Sequence, residues 1–110
     1  MCDTMKVGMP FRRVGSLNEL PPGQMLDVEL SETARVVVCN VDGALHAMDG
    51  ICPHRDGPLA QGALQGTMVV CPWHMWEFDC RTGEHDYNPA LKLQLYSVKT
   101  EGDDILVDLP

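Results

Sequence analysis

Two short segments hold the residues best suited to chemistry. Cys52-Pro53-His54 comes first, and after sixteen intervening residues comes Cys71-Pro72-Trp73-His74. Each offers a thiolate and an imidazole one or two positions apart, within reach of one ion if the backbone turns. Pro53 and Pro72 fix φ directly after each cysteine and withhold an N–H, which stiffens both loops. A zinc finger pairs Cys with Cys and His with His, whereas here each segment contributes one of each. That arrangement fits a two-iron cluster with one iron on two thiolates and the other on two imidazoles. Zinc in the same four ligands, stabilising a binding module, is the competing metal reading. In the competing reading without metal, the four are ordinary loop and core groups.

The rest of the chain must position those loops. At 110 residues it has the length of one domain, with 45% hydrophobic and 22% charged residues. This composition excludes a disordered tail, and no apolar run reaches the ~18 residues of a membrane span. The first residues, Met1 to Lys6, lack the apolar stretch of a signal peptide, so the expected location is the cytoplasm. A net charge of −8 opposes nucleic-acid binding, which draws on cations meeting phosphates. It suits solubility or docking onto a basic partner. Five cysteines, an odd number, argue against a disulfide scaffold.

Helical periodicity is nearly absent and β signals recur. Leu26, Val28 and Leu30 alternate with Asp27 and Glu29. Arg35 to Asn40 carries Val36-Val37-Val38, the pattern of a buried strand. Asp42-Gly43 is a two-residue hairpin signal. Thr67 to Val70 reads as a short strand. Leu91, Leu93 and Leu95 alternate, a turn covers Glu101 to Asp104, and Ile105, Val107 and Leu109 alternate again. The fold class is all-β: an antiparallel barrel or sandwich base, approximately residues 10–49 and 90–109. A loop-rich subdomain that holds the candidate ligands spans approximately 50–89. The segment before Phe11 is expected to be loosely ordered.

C-x-H, sixteen residues, then C-x-x-H resembles the Rieske iron–sulfur family. The flanks match too: Gly57-Pro58-Leu59 and Gly62 follow the first pair, and Phe78-Asp79 and Thr82-Gly83 follow the second. The likeness runs from about Phe11 to Leu109, which makes the whole chain, 1–110, one Rieske domain. It implies one 2Fe–2S cluster per chain, with Cys52 and Cys71 on one iron and His54 and His74 on the other. Neutral imidazoles leave the cluster less negative than four thiolates do, so adding an electron costs less.

Departures from the pattern narrow the class. Rieske proteins of respiratory and photosynthetic complexes carry a disulfide between the two loops, at positions held here by Gly57 and Trp73. Their hydroxyl donors to the cluster correspond to Trp76 and Phe78. Fewer donors stabilise the reduced cluster less, which predicts a potential low in the Rieske range. The resemblance is to soluble Rieske ferredoxins and to the Rieske domains of ring-hydroxylating oxygenases. The catalytic subunits of those oxygenases need a mononuclear iron on two His and a carboxylate, with space for a substrate. With His54 and His74 assigned, only His46 and His85 remain, and the chain stops about where the Rieske domain would, so a self-contained oxygenase is not expected.

The expected role is a one-electron carrier without catalytic residues of its own. The implied partners are an NAD(P)H-dependent flavoprotein reductase as donor and a terminal oxygenase as acceptor, with no nucleic acid and no membrane. The alternative is a small Rieske-like subunit of a larger oxidoreductase, such as assimilatory nitrite reductase. Met75 stands where the family usually has glycine, which marks either a positive φ or a close backbone approach. Trp73, Trp76 and Phe78 are expected to shield the cluster, with core packing as the alternative for both tryptophans. His46 reads as a packed or surface histidine and His85 as a solvated loop residue. Cys39 reads as a buried structural thiol, Cys80 as an unliganded one and Cys2 as free. Arg55 and Asp56 are candidates for a docking rim.

Overall fold

The computed structural model describes residues 11–31, 34–51, 58–73, 75–88 and 90–109. Among them are ten strands: β1 (Phe11–Ser16), β2 (Met25–Glu29), β3 (Arg35–Val41), β4 (Ala44–Asp49), β5 (Ala63–Gln65), β6 (Met68–Val70), β7 (Glu77–Asp79), β8 (Leu95–Tyr96), β9 (Val98–Glu101) and β10 (Asp104–Asp108). The helical elements are single 3-10 turns at Leu17–Glu19 and Leu59–Gln61. The strands form three sheets, ordered β1-β10-β9, β2-β3-β4-β8 and β5-β6-β7, and every pairing between strands is antiparallel. The all-β expectation therefore holds.

The central strand β3 explains the valine run. Side chains alternate across a strand, and both faces of β3 are covered. Val36 and Val38 enter a core with Leu20, Ala47, Ile105, Val107 and Leu109. Val37 and Cys39 point the other way, into a core with Met48, Leu59, Val69, Cys71, Phe78, Cys80 and Leu93. Each fully buried valine contributes about 1.5–3 kcal/mol relative to exposure. The second core lies between the base and the candidate site, and it fixes one to the other.

Turn chemistry sets the registers. Asp42 (φ 52°) and Gly43 (φ 96°) form the tight link between β3 and β4, with Val41 opposite Ala44. The buried Asn40 locks it, its Oδ1 accepting from the Gly43 N–H (2.7 Å) and its Nδ2 donating to the Leu20 carbonyl (2.8 Å). Gly102 (φ 61°) turns β9 into β10.

The alternating leucines at 91, 93 and 95 do not make one strand, because only Leu95 is in β8. The backbone N–H groups of Leu91 and Leu93 go instead to Asn88 and Gly83. The period-two pattern there arises from a loop packed on the second core. The segment before Phe11 lies outside the described residues.

Candidate metal centre

The two candidate loops are closed at their roots, and the roots meet. At the first, Ile51 bridges Pro58 and the Leu59 N–H donates to the Gly50 carbonyl (2.9 Å). Leu59 is fully buried in the second core. At the other, β6 and β7 pair Val70 with Glu77, and the Cys71 N–H donates to the Trp76 carbonyl (2.7 Å) as a further rung. The Met75 N–H donates back to the Cys71 carbonyl (3.0 Å). Cys71 is buried, with its side chain in the second core.

Gly62 brings these roots together. A Cβ on it would lie 1.8 Å from the Val70 carbonyl oxygen and 3.2 Å from Cδ of Pro72. Any side chain there would push the first loop off the strand that delivers Cys71. Met75 has φ 61°, so of the two reasons for a glycine at this position the left-handed conformation is the one the structure shows. These two observations, with a buried thiol at the junction, fit an iron–sulfur cluster held between the loops.

A second layer braces the Cys71 loop from behind. Asp79 accepts from the Arg81 guanidinium (2.8 and 3.1 Å) and from the Arg81 backbone N–H (2.9 Å). Those bonds hold its carboxyl below the usual carboxylate range. The Asp79 carbonyl accepts from Gly83 N–H (2.6 Å), and Gly83 has φ 82°. A Cβ on Gly83 would lie 2.3 Å from the Leu93 carbonyl oxygen. The motif words Phe78-Asp79 and Thr82-Gly83 thus describe one tight turn pressed against the loop that leads into β8.

Two readings of single residues change. His85 is buried at 7% relative exposure, not solvated. Its Nδ1 accepts from the backbone N–H groups of Tyr87 and Asn88, each at 3.1 Å. Its ring meets Trp76 edge-on, with centroids 4.5 Å apart. Glu84 and Asp86 suggested a wet loop, but the backbone pairs Phe78 with His85 and turns this side chain inward.

Trp73 is 54% exposed and is not core, while Trp76 is half-buried against the second core and Phe78 is fully buried. Cys39 and Cys80 are both buried, as expected for Cys39, and their thiols are hydrogen-bonded to each other. Donation to Cys80, reinforced by burial, pushes the Cys39 thiol up. His46 is half-buried on β4 opposite Cys39.

Of the four assigned ligands, the structure places Cys71. Cys52, His54 and His74 lie outside the described residues, as do Arg55, Asp56, Gly57 and Cys2. Among the described residues, no group of three or more His, Cys, Asp or Glu is placed to hold a metal ion.

The family model for the Rieske [2Fe-2S] domain matches residues 11–100. The chain belongs to the Rieske family. The cofactor that goes with this membership is a Rieske-type 2Fe–2S cluster. Among curated relatives, this Rieske protein is 39% identical over 102 residues to the ferredoxin component of biphenyl 2,3-dioxygenase from Rhodococcus jostii. That match covers 92% of this chain and 94% of the relative. Among solved structures, the ferredoxin of carbazole 1,9a-dioxygenase from Nocardioides aromaticivorans superposes with a TM-score of 0.81 at 27% identity, covering 91% of this chain and 98% of that one. A nitrite reductase small subunit from Mycobacterium tuberculosis shares the fold, with a TM-score of 0.77 at 21% identity over 88% of this chain and 92% of that one.

Proposed function

We propose that this chain is a Rieske-type ferredoxin, a one-electron carrier that works in the cytoplasm and transforms no substrate itself. Cys52 and Cys71 would hold one iron of the cluster, and His54 and His74 the other. The bound cluster supplies reversible one-electron chemistry. The chain's own residues orient it: the root contacts at Gly62 and the Cys71–Trp76 rungs hold the two loops in register. Phe78 and Leu59 keep water from the inner side of the junction. The whole chain, 1–110, is read as one Rieske domain, with a base near 10–49 and 90–109 and the cluster-binding part near 50–89.

The donor would be an NAD(P)H-dependent flavoprotein reductase and the acceptor a terminal oxygenase. The observation that carries this reading is the match, along nearly the full length of both chains, to a dioxygenase ferredoxin component. Trp73 (54% exposed) and Met75 (68%), which flank position 74 in sequence, offer apolar surface to a partner. A net charge of −8 gives long-range steering toward a basic partner and favours brief encounters. The test is stopped-flow oxidation of the reduced chain by a terminal oxygenase. The expected result is a second-order reaction that slows as salt rises past physiological strength. A stable stoichiometric complex with no turnover would favour the nitrite-reductase-type subunit, whose fold the chain shares.

A further inference from the structure

We propose that His85 is a positioning residue for the cluster loop, acting through Trp76. The two backbone N–H groups on Nδ1 place its lone pair there, so the neutral ring carries its proton on Nε2. That pair of bonds also fixes the ring's orientation. The ring then stands edge-on to Trp76 (4.5 Å, 67°) and to Phe78 (5.3 Å, 72°). Phe78 is fully buried and does not yield. Trp76 is half-buried, and its carbonyl accepts the Cys71 N–H. A shift of Trp76 therefore transmits to the backbone of Cys71 and, through the reciprocal bond, to Met75.

The segment carrying His85 is itself tied on both sides. Its own N–H donates to the Leu91 carbonyl (2.9 Å), and the next N–H, of Asp86, donates to Glu77 in β7 (2.9 Å). His85 is thus a strut between a braced loop and the loop that delivers Cys71. Ring-on-ring contacts of this kind are worth up to about a factor of ten in a local equilibrium. The inference rests on Cys71 being a cluster ligand, as proposed above.

Two substitutions separate the ring from the acceptor. His85→Asn keeps an acceptor near Nδ1 and loses the ring, and His85→Phe does the reverse. Hydrogen exchange on the cluster-loaded protein should show the Cys71 and Met75 amides exchanging roughly tenfold faster in His85→Asn. The Tyr87 and Asn88 amides should stay as in the parent. His85→Phe should retain most of the protection at Cys71 and Met75 while Tyr87 and Asn88 open.

The vacated space in His85→Asn admits water beside Trp76. Water favours the more negative, reduced cluster, so the midpoint potential should move to a more positive value, and His85→Phe should restore it.

Unchanged exchange at Cys71 and Met75 in His85→Asn, or equal deprotection by both substitutions, would overturn the proposal. If His85→Asn loads no cluster while the base melts as in the parent, the strut is confirmed. A general loss of stability would mark His85 as ordinary core. A Cys71→Ala variant, which offers iron no donor atom, that still holds its cluster would overturn the ligand assignment, and it would leave the exchange result standing.

Discussion

Replacing Met75 with glycine should stabilise the protein slightly and leave its visible spectrum intact. Met75 sits at φ 61°, where a side chain crowds the following carbonyl at a cost of about 1–2 kcal/mol. Glycine removes that cost. Against it stand two losses. Met75 is 68% exposed, so about a third of its side chain is covered, which is worth about 0.6 kcal/mol. Glycine also adds about 0.5 kcal/mol of freedom to the unfolded chain. The balance is a gain of about 0.4 kcal/mol, which for a domain of this size raises the melting temperature by roughly 2–3 °C. The assay is thermal melting of the cluster-loaded protein, followed by circular dichroism and by visible absorption. A melting point lowered by more than about 2 °C, or bleached visible bands, would refute the reasoning. Either result would mean that the Met75 thioether does something for the cluster that backbone geometry does not explain.

Gly62→Ala should be severe. Its Cβ meets a backbone oxygen that cannot move without shifting Cys71, so we expect a loss of about 3 kcal/mol or more and failure to hold the cluster. Gly66→Asn is the control, since open space surrounds Gly66 at φ 64° and asparagine tolerates that region. Tyr96 is held protonated up to about 12 by burial and by the bond its hydroxyl donates to Asp49 (2.8 Å). A phenol raised above its unfolded value of ~10 stabilises the fold fully below that value, and the contribution is lost as pH climbs toward 12. Tyr96→Phe should therefore cost about 1 kcal/mol at neutral pH, after allowing for solvent screening. It should also flatten the alkaline arm of the stability curve, and an unaltered alkaline arm would contradict the assignment. In alkylation followed by mass spectrometry, Cys39 and Cys80 should remain unmodified in the native state and react once the chain unfolds; rapid native labelling of either would contradict their burial.

What the sequence made legible divides along physical lines. The Val36-Val37-Val38 run announced a strand covered on both faces, because only a central strand can bury consecutive side chains, and β3 is that strand. Asp42-Gly43 announced its turn because few residues accept positive φ. Strand β1 was invisible. Phe11-Arg12-Arg13-Val14-Gly15-Ser16 has no clean alternation, since its pairing with β10 shifts register between Arg13 and Gly15. The strands β5 and β7 are three residues each, too short for a period to register. The cluster type was readable from the Cys-x-His and Cys-x-x-His spacing, because a two-iron cluster constrains residue type and separation together, and the family match agrees on the cofactor. His85 was not, because its burial depends on backbone pairing between β7 and a later loop, a tertiary contact that its acidic neighbours gave no sign of. The roles of Gly62 and Gly83 lay hidden for the same reason: a close approach to another strand leaves no local pattern.

The central claim is a single Rieske cluster, on two thiolates and two imidazoles, used to pass one electron at a time. Its most direct test is an EPR-monitored redox titration of the purified chain. The account predicts a paramagnetic signal that appears on reduction with a one-electron midpoint at the low end of the Rieske range, near roughly −150 mV. No signal on reduction, as for zinc, or a midpoint near about −400 mV, as for a cluster on four thiolates, would contradict it, while a midpoint near about +250 mV would overturn its low place in the Rieske range.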